Sequence, residues 1–538
     1  MCHRLPVDGP GLLRIPFVPL HPMRRLLFFF RDQLNRSATL FEGADPDQDA
    51  CVLSEHTAPD ATEHVQKRVY VVAAQRHFRD ALQEQGFTVH YESCTASGAS
   101  APDVSPLAHL QRTIQAEDPA SVHATEPGSL AQRRALARVC NEAGVSLTLH
   151  DDTHFLCDHD TFADWVEGRT SPTLEYFYRE QRRAYDCLLT DTGDPVGGDW
   201  NYDKDNRESF GSDGPGLLPE PPSYHDDPHV QAARADVKTA YPDAPGRFTE
   251  PFPWPVTPAQ ARAALHRFVE DRLPTFGTYQ DAMWTERPWL YHSQLSPALN
   301  LKLLDPRDAI EAAESAYRSG DAPLNAVEGF IRQILGWREF IRGLYWYRAS
   351  DWSTMNELDA TAPLPDFYWT GDTHMACLHD ALTQVVDHAY GHHIQRLMIT
   401  GLFGLLYGID PQQLNDWHES FYIDAWPWVS VPNMLGMSQY ADGGYVGTKP
   451  YTASGKYVNR MSNYCAGCRY DPGEATGEDA CPFTTLYWDF LDRHEETLSG
   501  NGRMNFQLAN LRRKGDDQRH AIAERASVLR SQVQAGNL

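Results

Sequence analysis

Four cysteines in the second half of the chain have the types and spacing for metal chemistry. Cys465 and Cys468 form a C-x-x-C pair, and Cys481 follows after a loop of 12 residues with Pro482 behind it. Thiolates at this spacing bite one metal centre, and a third and fourth sulfur complete its shell. Cys377 is the only other cysteine in this half. A zinc ribbon usually carries a second C-x-x-C, which is absent. The spacing leaves iron–sulfur and zinc both open, with free thiols as the plainer alternative. The other six of the ten cysteines are scattered between Cys2 and Cys187 and read as reduced thiols.

Three further sets could act on a substrate. Tyr291-His292-Ser293-Gln294-Leu295-Ser296-Pro297 precedes Gly336-Trp337-Arg338-Glu339-Phe340. Hydroxyls, backbone amides and an arginine in a helical bowl could bind a pyrophosphate, though Ser-Pro also simply starts helices. Gly391-His392-His393-Ile394-Gln395-Arg396 places two imidazoles side by side. Neighbours on a helix point about 100° apart, so they chelate one metal poorly. They suit proton transfer near neutral pH, or plain packing. Trp369, Trp417, Trp426 and Trp428 could pass electrons, or could be core by bulk alone.

The elements that must hold these residues fall into two classes. Leu26–Phe30, Asp49–Glu55, Phe87–Tyr91 and Val145–His150 read as buried strands, with helices such as Val65–Gln85 and Leu130–Ala143 between them. That alternation predicts a parallel α/β sheet. No glycine-rich phosphate loop follows the first strand; Arg31-Asp32-Gln33-Leu34 stands there. Glu175–Leu189 reads as an exposed helix, and residues 191–228, rich in Gly, Pro, Asp and Asn, as linker. From Pro258 the pattern is helical, in Pro258–Arg272, Pro323–Arg348, His374–Gly408 and a charged tail helix over Asn501–Leu538. The prolines of residues 1–22 exclude regular structure there, and this extension is expected to be disordered.

The net charge is −26, with 40 arginines and 7 lysines. An acidic, lysine-poor surface fits work in high salt, where screening acts over about 3 Å. It does not forbid a local basic groove for nucleic acid. The longest early apolar run, Leu26–Phe30, is too short for a membrane span of about 20 residues. The expectation is a cytoplasmic protein with no membrane partner.

Taken in order, these motifs resemble the photolyase/cryptochrome superfamily, in its bacterial and archaeal iron–sulfur branch. The resemblance runs from about Met23 to about Leu529. It rests on Asp32-Gln33-Leu34, Arg76-His77-Phe78, Gly197–Asp203, Ser293–Pro297, Gly336–Phe340, His392-His393, Gly436–Gly444, Lys449-Pro450-Tyr451, Ser454–Tyr457 and the cysteine block.

The resemblance implies an α/β antenna domain over 23–160, an interdomain region over 161–257, and an all-α FAD-binding domain over 258–538 that carries a [4Fe-4S] cluster. Cys377 matches the family's distant cysteine, so Cys377, Cys465, Cys468 and Cys481 become the cluster ligands. FAD would meet Tyr279, His292, Ser293, Leu295, Ser296, Gln333, Trp337, Arg338 and Arg396, with Asp424 or Asn433 facing the flavin N5. His392 and His393 match the pair beside the lesion in (6-4)-type members, and Tyr451 joins them as a catalytic candidate. Trp369, Trp417 and Trp428 are the electron-transfer candidates. Lys456 and Arg460, with Tyr451, form the DNA-facing rim. Asp32, Gln33 and Glu55 belong to the antenna site, which holds 6,7-dimethyl-8-ribityllumazine in characterised relatives. Arg31 departs from the family's glycine there and fills space that glycine leaves open. The implied activity is light-driven repair of (6-4) photoproducts in ultraviolet-damaged DNA by a monomer. A blue-light photoreceptor of the same fold is the alternative.

Overall fold

The computed structural model describes residues 25–57, 62–95 and 105–538. The expectation for residues 1–22 lies outside the described residues. Five parallel strands form one sheet in the order β3-β2-β1-β4-β5. They are β1 (Arg25–Phe28), β2 (Ala50–Ser54), β3 (Thr88–Glu92), β4 (Ser121–Thr125) and β5 (Ser146–His150). The first two are apolar and almost wholly buried, as expected for central strands covered on both faces. β4 is a strand the sequence pattern did not flag. Ser121-Val-His-Ala-Thr125 has one strong β former and sits beside β1 through Leu26↔Val122.

The order reverses between β1 and β4. Ligands of open α/β sheets gather outside such a switch point. Here the loops after β1, β4 and β5 turn toward the helical half. Lys302 pairs with Asp152 at 2.6 Å, with both side chains buried. Leu34 N–H donates to the Leu301 carbonyl, and Glu339 accepts from the amides of Leu156 and Cys157. One hydrophobic core runs from Leu27 and Phe29 through to Leu335 and Leu435, so sheet and helices pack as one body.

Residues 161–257 are more than linker. His159–Val166 and Leu174–Ala184 are helical, and Pro228–Ala240 packs along α1 (Val65–Glu84). The helix expected over Glu175–Leu189 therefore ends at Ala184. The stretch expected as one helix over His374–Gly408 is also two. Ala376–His388 stops at Ala389, whose φ of +53° is left-handed, and the next helix starts at His393. The tail divides likewise into Asn505–Arg512 and Asp516–Gln534. Among the described residues no helix is long and apolar enough to cross a membrane.

Three stretches of the helical half widen into π-helical turns: Arg332–Arg338, Arg396–Gly401 and Pro432–Ser438. Each holds at least one residue singled out from the sequence. Such turns recur where a helix must redirect side chains toward a site.

Candidate functional site

Cys377, Cys465, Cys468 and Cys481 line one pocket, closed by Met375, Tyr464 and Phe483. Each comes from a defined place. Cys377 lies in the first turn of Ala376–His388, Cys465 sits on a short 3₁₀ turn, and Cys481 precedes the helix that Pro482 opens. Cys468 N–H donates to the Cys465 carbonyl, closing the C-x-x-C turn. Gly455 abuts the last sulfur: a Cβ there would stand 2.7 Å from Cys481 Sγ. All four are free thiols. Burial and then the neighbouring sulfurs push the Cys377 thiol well up, and the same causes push Cys465 up to about 12. Four thiolates can share this pocket only around a cationic centre. Four such sulfurs are a donor set for a metal centre, and a four-iron cluster fits it.

The second site is built around Arg396. Its guanidinium grips Asp424 with two bonds, Nη1 to Oδ1 at 2.9 Å and Nη2 to Oδ2 at 3.0 Å. Its Nε donates to the Gly391 carbonyl, and it lies 4.2 Å over the Tyr422 ring. Ser296 Oγ donates to Asp424 Oδ2 at 2.6 Å, and Asn300 holds the Asp424 carbonyl. Burial alone would raise the Asp424 carboxyl, but Arg396 holds it below its usual range.

The break at Ala389 decides where the histidines stand. His392 is not mid-helix: its φ/ψ of −71°/163° makes it the residue before the next helix, and Gln395 accepts its N–H. His392 stacks on His292 with ring centroids 4.4 Å apart and planes 11° apart. Both nitrogens of His392 and Nε2 of His292 are buried without a partner. Burial, then His292, His393 and Arg396, drives the His392 imidazole far below its ordinary value. Burial with His393 and the nearby arginines brings His292 to about 3. Two buried imidazoles with unspent ring nitrogens, His292 and His392, thus sit beside a fixed cation, and His393 stands exposed next to them. Buried orphan donors and acceptors of this kind call for a polar ligand.

The other expected flavin contacts are placed unevenly. Leu295 is buried just ahead of the Ser296–Asn300 helix. Ser293 lines a neighbouring pocket in which Arg267, Arg272 and Gln294 stand with Glu220 and Asp271. Gln333 makes one long bond back to Gly329. Trp337 Nε1 donates to Asn433 Oδ1, and Asn433 donates on to Val429. Asn433 is thus occupied by Trp337, while Asp424 stands with Arg396 and Ser296. Tyr279 stacks on Phe210 at 4.7 Å. Arg338 goes elsewhere. It binds Glu339 and His154, lies over Phe155, and lines a pocket with Asp32, Glu126, Gly128 and Trp428 at the sheet's switch point.

The tryptophans divide in the same way. Trp417 is buried, with ring neighbours Tyr368, Phe421 and Tyr422 at 5.0, 5.7 and 5.6 Å. Trp369, 37% exposed, lies 5.2 Å from Phe421. One aromatic chain therefore runs from Tyr422, under Arg396, to the surface. Trp428 belongs to the other cluster, 4.9 Å from Phe155.

The antenna residues do not converge. Gln33 is spent on the Thr125 and Glu126 carbonyls. Glu55 is held by Arg76, Tyr91 and the Cys94 amide. Asp32 alone keeps a buried, unpartnered oxygen. Arg31 turns to Glu63 at 3.0 Å. On the rim, Lys456 and Arg460 are exposed, and Tyr451 is half-buried. Arg267, Arg272, Gln294 and Tyr422 were missed from sequence because each is an ordinary residue on an ordinary helix or loop.

Comparison with known proteins bears on all of this. Residues 27–254 match the family model described as deoxyribodipyrimidine photo-lyase-related protein. A (6-4) photolyase of Agrobacterium fabrum (strain C58) is 43% identical over 509 residues, covering 94% of this chain and 99% of that protein. A bacterial class III photolyase from Agrobacterium tumefaciens shares the fold with a TM-score of 0.53 at 15% identity, over 97% of this chain and 100% of that one. A Synechocystis sp. PCC6803 cryptochrome shares it with a TM-score of 0.52 at 13% identity, over 81% of this chain and 88% of that one.

Proposed function

The chain belongs to the deoxyribodipyrimidine photo-lyase-related family, and from that premise we propose that it is a (6-4) DNA photolyase, a light-driven repair enzyme that carries FAD and a [4Fe-4S] cluster. The observation that carries the reading is the His392–His393 pair beside the Arg396–Asp424 pair, with His392 buried, its ring nitrogens unspent, and His393 exposed next to it.

Reduced FAD, when bound and excited by light, would supply one electron to the lesion and take it back at the end, so that repair is redox-neutral overall. The chain's own residues do the rest. Arg396, Asp424, Ser296 and the neighbouring Ser293 pocket hold the flavin and fix its orientation. Photolyases are among the enzymes that take a damaged base out of the stack, and Tyr451, Lys456 and Arg460 grip the backbone beside it. In a (6-4) lesion an OH or NH group must return from one base to the other, so a proton must move at that atom. An imidazole of the pair can give a proton when protonated and take it back when neutral. A DNA polyanion over the pocket counters Arg396 and favours the protonated form needed to give. Cys377, Cys465, Cys468 and Cys481 ligate the cluster. Of the antenna set, only Asp32 is free to meet a lumazine, so no step is assigned to one.

The test is a purified, reduced protein mixed with an oligonucleotide holding one (6-4) lesion. Illumination converts the lesion back to two normal pyrimidines while the dark control does not. A protein that binds flavin, responds to light and leaves the lesion intact is a photoreceptor instead.

A further inference from the structure

Seven lysines serve the whole chain, and Lys67 is one of the two buried ones. It sits in the first turn of α1 in the α/β half, 3% exposed, yet its partners lie in the helical half. Its Nζ donates to the Glu419 carbonyl at 2.8 Å and to the Ala425 carbonyl at 2.7 Å. It also stands 4.9 Å over the Trp426 ring. Glu419 lies in the last turn of the helix Pro411–Phe421, where backbone carbonyls lack helical partners. The next of those carbonyls, Ser420, is taken by the backbone N–H of His64. Two residues from the start of α1 thus cap a helix of the other half, and a cation at a helix C-terminus is favoured by the backbone dipole as well.

Between the two carbonyls that Lys67 bridges lie Tyr422 and Asp424, the ring under Arg396 and the carboxylate it grips. The ammonium is itself steered. Glu63 lies 3.9 Å away, and it also faces Arg31 at 3.0 Å and Arg68 at 3.7 Å. Arg31, the departure from the family's glycine, therefore belongs to a network reaching the flavin-facing segment.

We infer that Lys67 is a positioning residue: from the α/β half it clamps residues 419–426 and so holds Asp424 and Tyr422 in register with Arg396. The inference rests on the flavin assignment of Arg396 and Asp424, but its main readout does not. Lys67→Met keeps the apolar stem and removes the ammonium. Val71→Ala, one turn further along the same helix and carrying no polar group to bond those carbonyls, is the control for general loss of stability. Hydrogen exchange is followed in peptides spanning 419–426, alongside the visible circular dichroism of the bound flavin. In Lys67→Met, exchange of those peptides rises about tenfold, the loss of a buried charge-assisted bond, and the flavin signal changes shape. Val71→Ala changes neither relative to wild type. Glu63→Gln, which keeps the ammonium, raises exchange in the same peptides by a smaller factor and serves where Lys67→Met does not fold. No rise in either variant, or an equal rise in Val71→Ala, overturns the clamp. A wild-type protein that takes up no flavin overturns the proposed function, and the exchange data still decide the clamp.

Discussion

Three of the four sulfurs around the cysteine pocket fall between Cys465 and Cys481, whereas the histidine pocket is drawn from His292, Ser296, His392–Arg396 and Asp424. The first is a local loop whose sulfurs a metal could tie together. The second is a meeting of helix ends, and every member is an ordinary residue until the fold places it. A local motif with a costly residue type announces itself; a site assembled at long range does not. The two also differ in electrostatics. In the cysteine pocket burial pushes thiols up, toward neutrality, and they need a cation. In the histidine pocket burial pushes imidazoles down, also toward neutrality, beside a cation already paired.

The difference is sharpest where the metal is removed. Cys465→Ser should abolish the cluster's visible absorbance and lower Tm by about 10 °C or more, because ligation and folding are coupled. Cys187→Ala, a buried thiol outside the pocket, should retain the absorbance and cost only a few degrees. Equal losses in both would mean that the pocket thiols are mere packing. Next in size is Asp424→Asn, which leaves the Arg396 charge buried without its partner. About 3–5 kcal/mol of stability should go, with flavin content falling in step, as denaturant titration and absorbance would record.

A smaller effect comes from pH. His64 titrates near 4 in the folded chain and His292 near 3, both depressed first by burial. The unfolded chain binds those protons near 6.5, so their contribution to stability is complete above about 6.5 and is lost as pH falls toward 4 and then 3. Midpoints measured between pH 7.5 and 5 should fall, and His64→Gln should flatten the slope. A slope unchanged by that substitution would place the titration elsewhere. The smallest effect separates the tryptophans. Trp417→Phe should slow light-driven reduction of the flavin, and Trp428→Phe should leave it near wild type, because only Trp417 lies on the aromatic chain to Trp369.

Much of the fold was legible. Leu26–Phe30 could only be a buried strand, and helices alternating with strands imposed a parallel sheet. β4 was not, because Ser121–Thr125 gains its strand character from lying beside β1 rather than from its own residues. The break at Ala389 was hidden because alanine is the best helix former, and a left-handed alanine is set by tertiary packing. That one break moves His392 from a helix face to a helix start. Arg338 shows the converse error. Its motif suggested the flavin bowl, yet Glu339 and His154 draw it to the sheet. Glu55 was singled out beside Asp32, but Arg76 on the next helix claims it.

Repair itself is tested most directly by comparing wild type with His392→Ala and His393→Ala, at matched flavin content and light dose, on one (6-4) oligonucleotide. The account predicts light-dependent restoration by wild type and none by either variant. Restoration at the wild-type rate by both variants would contradict it.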